Sequence, residues 1–274
     1  MNDFILLMWK PLLACLILTG IHTYLGVHVI ERKVIFVDLA LAQIAALGAV
    51  IAYLFGYSLH GQATYWFSLT ATFIGAIIFS ITRMRKEKIP QEAIIGIVYA
   101  ISAAAAVLVL SRSSEGDEEI RQMLVGNILL VDLHDIMTMA VLYSLVGLFH
   151  WHFRKKFILI STKPDDAFKQ GISVKWWDIV FYLTFGLIVT SSVHIAGVLL
   201  VFSFLIVPAV AAILFSQKLS TRLFLGWAIG VAASFLGIFT SYYLDLPTGA
   251  TIVCCFGGIL VLLSVIRPFM NFRH

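Results

Sequence analysis

Nine apolar runs, each long enough to cross a bilayer, constrain this chain more than any other feature of its sequence. A hydrocarbon core of about 30 Å takes roughly 20 residues of α-helix. The runs cover residues 11–30, 34–55, 63–82, 93–111, 136–153, 177–193, 195–215, 223–244 and 248–266. In lipid every backbone polar group must be satisfied within the protein, so segments of this length span as helices. The charge content agrees. Only 12% of residues are charged, against about 25% in soluble domains. That is too few to coat a soluble globule, and a soluble enzyme or a disordered chain is excluded. The expected fold is an all-α polytopic membrane protein of about nine transmembrane helices. Residues 1–274 form a single transmembrane domain with no soluble domain. The start, Met1-Asn2-Asp3, has its first basic residue at Lys10. A signal peptide would start basic with a short apolar core, so the first run is kept as a helix.

The basic residues give the runs an orientation. Placing Arg32 and Lys33 on the cytoplasmic side puts Arg83, Arg85, Lys86 and Lys88 there as well. Arg154, Lys155, Lys156, Lys163, Lys169 and Lys175 follow, then Lys218, Arg222, Arg267 and Arg273. Sixteen of the 19 Lys+Arg therefore share one side. The positive-inside rule reads this as N-out/C-in. The net charge of +4 reports topology and not a nucleic-acid partner. The opposite side carries an acidic loop at 111–121. The apolar segment 120–132 is too short to span and reads as a short outer re-entrant or interfacial helix. Cys15, Cys254 and Cys255 lie in apolar runs, and no disulfide is expected.

No glycine in the chain is followed by lysine, so there is no GxxxxGK[ST] phosphate-binding loop. Any use of ATP must come from another chain. Few carboxylates enter the spans. Asp38 is the foremost, with Glu92 and Asp245 near helix ends.

Six stretches, in order along nearly the whole chain, resemble the metal-permease family of ABC importers that take up zinc, manganese or iron. They are GVHVIERKVIFVDLALAQIAALG at 26–48, PQEAIIGIVY at 90–99 and MLVGNILLVDLHDI at 123–136. STKPDDAFKQG at 161–171, HIAGVLLVFSFLIVPAVAAIL at 194–214 and SYYLDLPTGATIV at 241–253 complete the set. The resemblance implies a permease without covalent chemistry or a tightly bound cofactor, its cargo a divalent metal ion. Zn²⁺ and Mn²⁺ are the leading candidates, with Fe²⁺ possible. It further implies a second permease copy, as homo- or heterodimer, and a cytoplasmic ATP-binding subunit. An extracytoplasmic metal-binding protein would deliver the ion, and the setting would be a prokaryotic cell membrane. The rival readings are an ATP-independent secondary carrier and an ABC permease for an iron chelate or cobalamin-like cargo.

The candidate pathway residues are Asp38, Gln43, His22, His194 and Asp245. Asp38 lies about five residues into the second run, where a carboxylate is costly unless it meets a partner, water or a cation. A hard oxygen there suits Mn²⁺ or Zn²⁺. The competing reading pairs it with Arg32 or Lys33. Where the family carries an Asp and a His four residues apart, this chain has Leu39 and Gln43. Asp38 and Gln43 are five apart, which rotates them by about 140°. Gln43 reads as a pathway-lining polar residue or an interhelical hydrogen-bonder. His22, in mid-span, could supply the imidazole missing at 43. His194 opens the seventh run at its outer mouth. Asp245 sits in the turn Leu244-Asp245-Leu246-Pro247, either as a cap for the ninth helix or at an ion entry. Glu92 follows Pro90 and reads as a helix-start carboxylate. Pro208 is expected to break the seventh helix. By resemblance, the segment after it docks into the ATPase, which nominates Ala209, Ile213, Lys218 and Arg222 beside Pro208. Gly226 and Gly230 have the small-xxx-small spacing of closely packed helices.

Overall fold

A computed structural model describes residues 2–58, 61–83, 89–111 and 126–269, with side chains from Phe4 onward. Within them lie eleven α-helices and two short 3₁₀ turns. We number the helices α1 Asn2–Glu31, α2 Val37–Leu54, α3 Gln62–Thr82, α4 Gln91–Leu110, α5 Leu133–His152, α6 Arg154–Thr162, α7 Pro164–Lys169, α8 Val174–Ala196, α9 Val198–Phe215, α10 Leu219–Leu244 and α11 Thr248–Ile266. Among the described residues, nine helices are long and apolar enough to cross a membrane: all except α6 and α7. The three cysteines are unpaired. Of the short outer segment, residues 120–125 lie outside the described set, as do Arg85, Lys86, Lys88, Arg112 and Arg121. The described remainder holds a 3₁₀ turn at Ile128–Leu130.

Packing divides the chain into two units. The first comprises Met1–Ile30, Leu124–Ser144 and Ile195–His274. Here α9 is the most enclosed helix, with 61% of its residues buried, and it packs on α10 and α11. The helix α11, at 22%, turns Val261, Leu262 and Val265 outward, as a lipid-facing helix must. At 30 residues, α1 starts well before the expected position 11. The apolar stretch from Phe4 to Trp9 continues the helix, and Pro11 removes only one N–H from it.

Pro208 does not end α9, which runs on to Phe215. Proline deletes the hydrogen bond to the carbonyl four residues back, but neighbouring helices can close over the defect. Glycines fill that role here. A Cβ on Gly26 of α1 would lie 1.9 Å from the Leu205 carbonyl oxygen, and one on Gly226 of α10 would lie 3.4 Å from that of Pro208. The chain breaks after Phe215, and α10 starts at Leu219.

The second unit comprises Glu31–Met123 and Leu145–His194. Its centre is α2, also 61% buried, packed on α3 and α4. Glycines again allow close approach: a Cβ on Gly48 would meet the Phe67 carbonyl oxygen at 2.8 Å. Thr72 of α3 and Thr190 of α8 share a buried hydrogen bond of 2.9 Å. In the hydrophilic stretch, α6 and α7 form a hairpin closed over Ile160, Ala167 and Val174. Pro164 starts α7, where its missing N–H costs nothing.

Candidate cation site and its surroundings

Asp38 is the second residue of α2, so it lies in the first turn and not five residues into the helix. The chain preceding it does not become helical until Val37, because Lys33 adopts a left-handed backbone with φ 57°. Asp38 is 2% exposed. Its carboxylate lies beside the backbone N–H groups that open the helix. The helix N-terminus favours a negative group there. Oδ1 is nonetheless buried with no hydrogen-bond partner.

The arginine that the sequence offers to Asp38 is committed elsewhere. Arg32 donates to Asp178 at 2.5 Å and to Ser161 at 2.9 Å, and its guanidinium lies 4.0 Å from the Phe181 ring centre. Arg83 donates to both carboxylate oxygens of Asp178 at 2.8 Å. Asp178 is thus shared between two arginines.

The neighbour that Asp38 does have is Glu92, in the first turn of α4. Glu92 does not cap its own helix. Its Oε1 accepts the Phe36 N–H at 2.9 Å, at the entry of α2. Oε2 is buried without a hydrogen-bond partner. Glu92 thus stands at the same helix entry whose first turn carries Asp38. Gln91 holds this corner in place, donating to the Phe79 carbonyl at 2.8 Å and to the Tyr182 hydroxyl at 3.3 Å.

Gln43 lies half-buried on α2. His194 does not open a span; it lies exposed in the last turn of α8, because the helix break falls at Gly197 with φ 76°. Twelve residues separate it from Tyr182, or about 18 Å along the helix. It therefore does not share the Asp38 corner.

His22 and Asp245 belong to the first unit. His22 is fully buried. Its Nδ1 lies 2.9 Å from the Leu18 carbonyl oxygen, its ring 6.1 Å from that of Tyr143, and its Nε2 has no hydrogen-bond partner. Asp245 is exposed and ends α10 in the left-handed conformation, φ 51°. It does not cap α11, whose N-cap is Pro247 without a side-chain hydrogen bond. Phe4 packs its ring 5.0 Å from Tyr242, so Asp245 lies near the start of α1. His22 is eighteen residues further on, about 27 Å by helical rise. Those two residues do not meet.

In the nominated docking segment, Ala209 is buried and Ile213 half-buried. Lys218 is exposed at the N-cap of α10. Arg222 is folded inward, donating to the Ser216 carbonyl at 2.8 Å and to Gln217 Oε1 at 2.7 Å. One further group escaped the sequence reading. Potential ligand atoms of Asp132, His134 and Asp135 all lie within 4.8 Å of one another at the start of α5. Asp132 there accepts the Asp135 N–H at 2.7 Å, as a helix cap does. That hydrogen bond holds its carboxyl below the usual Asp range.

Bundles of enclosed and lipid-facing apolar helices, with a few buried ionisable groups at helix ends, define a polytopic integral membrane protein. The chain belongs to the ABC 3 transport family, which matches residues 5–267. It is 27% identical over 255 residues to the manganese transport system membrane protein MntC of Listeria monocytogenes, covering 89% of this chain and 85% of that one. It is 25% identical over 248 residues to a probable iron transport system membrane protein of Haemophilus influenzae, covering 90% and 85%. Its fold matches a chain of PsaBC from Streptococcus pneumoniae, solved in complex with Fab, at TM-score 0.81. The match has 20% identity and covers 99% and 98% of the two chains.

Proposed function

We propose that this chain is the membrane-spanning subunit of an ATP-binding-cassette importer for a divalent metal cation, with Asp38 on the route of the cargo. The observation that carries the reading is the Asp38 carboxylate. It is buried, the arginine closest to it in sequence is taken by Asp178, and one oxygen has no hydrogen-bond partner. Such a group inside a membrane protein is expensive and marks an ion path by default. Family membership supplies the class of cargo, and the named relatives carry manganese or iron. Carboxylate oxygen is a ligand type that suits Mn²⁺. The chain performs no covalent chemistry. ATP hydrolysis belongs to a separate cytoplasmic subunit, and a metal-binding protein outside the membrane delivers the ion to a pair of permeases. The positive-inside reading puts Asp38 toward the cytoplasmic side, where it offers the ion oxygen ligands late in its passage.

The test is uptake of radioactive Mn²⁺ at limiting concentration, in cells that express this chain with its ATP-binding subunit. Asp38→Asn keeps the volume and removes the charge. It is expected to cut uptake at least about ten-fold, the lower bound for disturbing a metal site. His22→Ala in the same assay reports whether an imidazole contributes. Full uptake by Asp38→Asn would overturn the site. Transport by the purified chain alone in liposomes, without ATP, would overturn the class.

A further inference from the structure

We infer that Glu92 is a second carboxylate for the cargo, so that Asp38 and Glu92 together form an oxygen seat for a divalent cation between the N-terminal turns of α2 and α4. The inference rests on the metal-importer reading and extends it to a residue that the sequence reading treated as a cap. Asp38 Oδ1 and Glu92 Oε2 are both buried, and both lack a hydrogen-bond partner. Asp38 is 2% exposed, so its free oxygen is not left to bulk water. Among the described residues neither carboxylate has a cation within salt-bridge distance. The arginine closest in sequence, Arg32, is held by Asp178, Ser161 and the Phe181 ring.

Two neighbouring carboxylates in a poorly solvated corner cannot both ionise without help, and they end up sharing either a proton or a cation. Glu92 Oε1 accepts the Phe36 N–H, which fixes its direction, while Glu92 Oε2 and Asp38 Oδ1 stay without a hydrogen-bond partner. Gln91, hydrogen-bonded to Phe79 and Tyr182, pins the backbone beside Glu92, so the seat is preorganised and not floppy. A cation resting there replaces part of its water shell with two charged oxygens. Hard all-oxygen ligation suits Mn²⁺.

Glu92→Gln separates this role from capping. Glutamine keeps a carbonyl oxygen able to accept the Phe36 N–H and loses only the charge. With the ATP-binding subunit co-expressed, the Mn²⁺ concentration for half-maximal uptake is expected to rise at least about ten-fold. Membrane abundance should stay near wild type. In the purified complex, added Mn²⁺ should raise the thermal unfolding temperature of wild type and not of Glu92→Gln, since a ligand stabilises only the state that binds it. Should Glu92→Gln fail to accumulate, Glu92→Asp keeps the charge on a shorter stem and should show a smaller rise. Wild-type uptake and Mn²⁺ protection in Glu92→Gln would overturn the inference, leaving a cap or a shared proton as the explanation. If Asp38→Asn loses uptake while Glu92→Gln keeps it, only the second ligand fails. If the wild type takes up no divalent metal, the importer reading fails with it.

Discussion

Asp178 shows how far a residue's role can lie from its sequence neighbourhood. It neutralises Arg32, 146 positions earlier, and Arg83, 95 positions earlier. No periodicity or motif marks those pairings. The sequence offered Arg32 or Lys33 as a competing partner for Asp38, because they are close along the chain. Packing gave the arginine to α8 and, among the described residues, left the aspartate without a salt-bridge partner. Removing one partner of a buried ion pair strands the other, at a cost of about 3–5 kcal/mol. Asp178→Ala should therefore lower stability by that order in detergent unfolding. Arg83→Ala should cost less, because Arg83 is partly exposed and Arg32 still neutralises the carboxylate. Asp245 makes the opposite case, a carboxylate whose position is explained by its backbone. A left-handed conformation tolerates Gly and Asn and penalises β-branched residues. Asp245→Gly should be near neutral in stability, while Asp245→Val should cost about 1–2 kcal/mol. If Asp245→Asn lowers metal uptake while stability holds, the charge at this turn has a role in ion entry.

Helices were legible in this sequence where apolar length sets them, and less so where single residues end them. The nine spans follow from the bilayer's demand for long satisfied backbones, and all nine are present among the described residues. Their breaks depend on local geometry. Gly197, not His194, ends α8, and α9 runs on through Pro208 with Gly26 of α1 and Gly226 of α10 packed close beside this stretch. The spacing of Gly226 and Gly230 announced close packing without naming the partner. The partner is within the same unit: Cβ atoms at these positions would lie 2.5 Å from the Thr23 and Thr19 methyl groups. Gly230→Val should then destabilise the chain by about 1–3 kcal/mol through overpacking. Thr19→Ala in the same background should return part of that loss, a coupling that a double-mutant cycle measures. At the start of α5, the lowered Asp132 carboxyl sets a pH sense. Its capping contribution is complete above the ordinary Asp range and is lost as pH falls through the depressed value. Hydrogen exchange at Asp135 should accelerate under acid relative to mid-helix α5 amides, and Asp132→Ala should show that loosening at neutral pH.

For the molecule as a whole, scarcity of charge and the ordered motifs were enough to place the chain in its family. The missing phosphate-binding loop added the expectation, still a proposal, that the energy source is another subunit. What they could not convey is which few polar groups share a corner, since that depends on contacts between helices distant in sequence. The Asp38–Glu92 corner, built from α2 and α4 and steadied by α3 and α8, is of that kind.

The shared carboxylate of Asp178 also has a consequence in time. A ribosome adds about 5–20 residues each second. Arg32 is therefore made some 7–30 s before the aspartate that will neutralise it. During that interval the guanidinium must stay hydrated near the membrane surface or borrow a passing anion. The turn between α1 and α2 can take its final place only when α8 arrives. Slowing translation between residues 83 and 178 should prolong the life of a loosely seated amino-terminal half, visible as a protease-sensitive nascent chain. Asp178→Asn should make that state outlast synthesis.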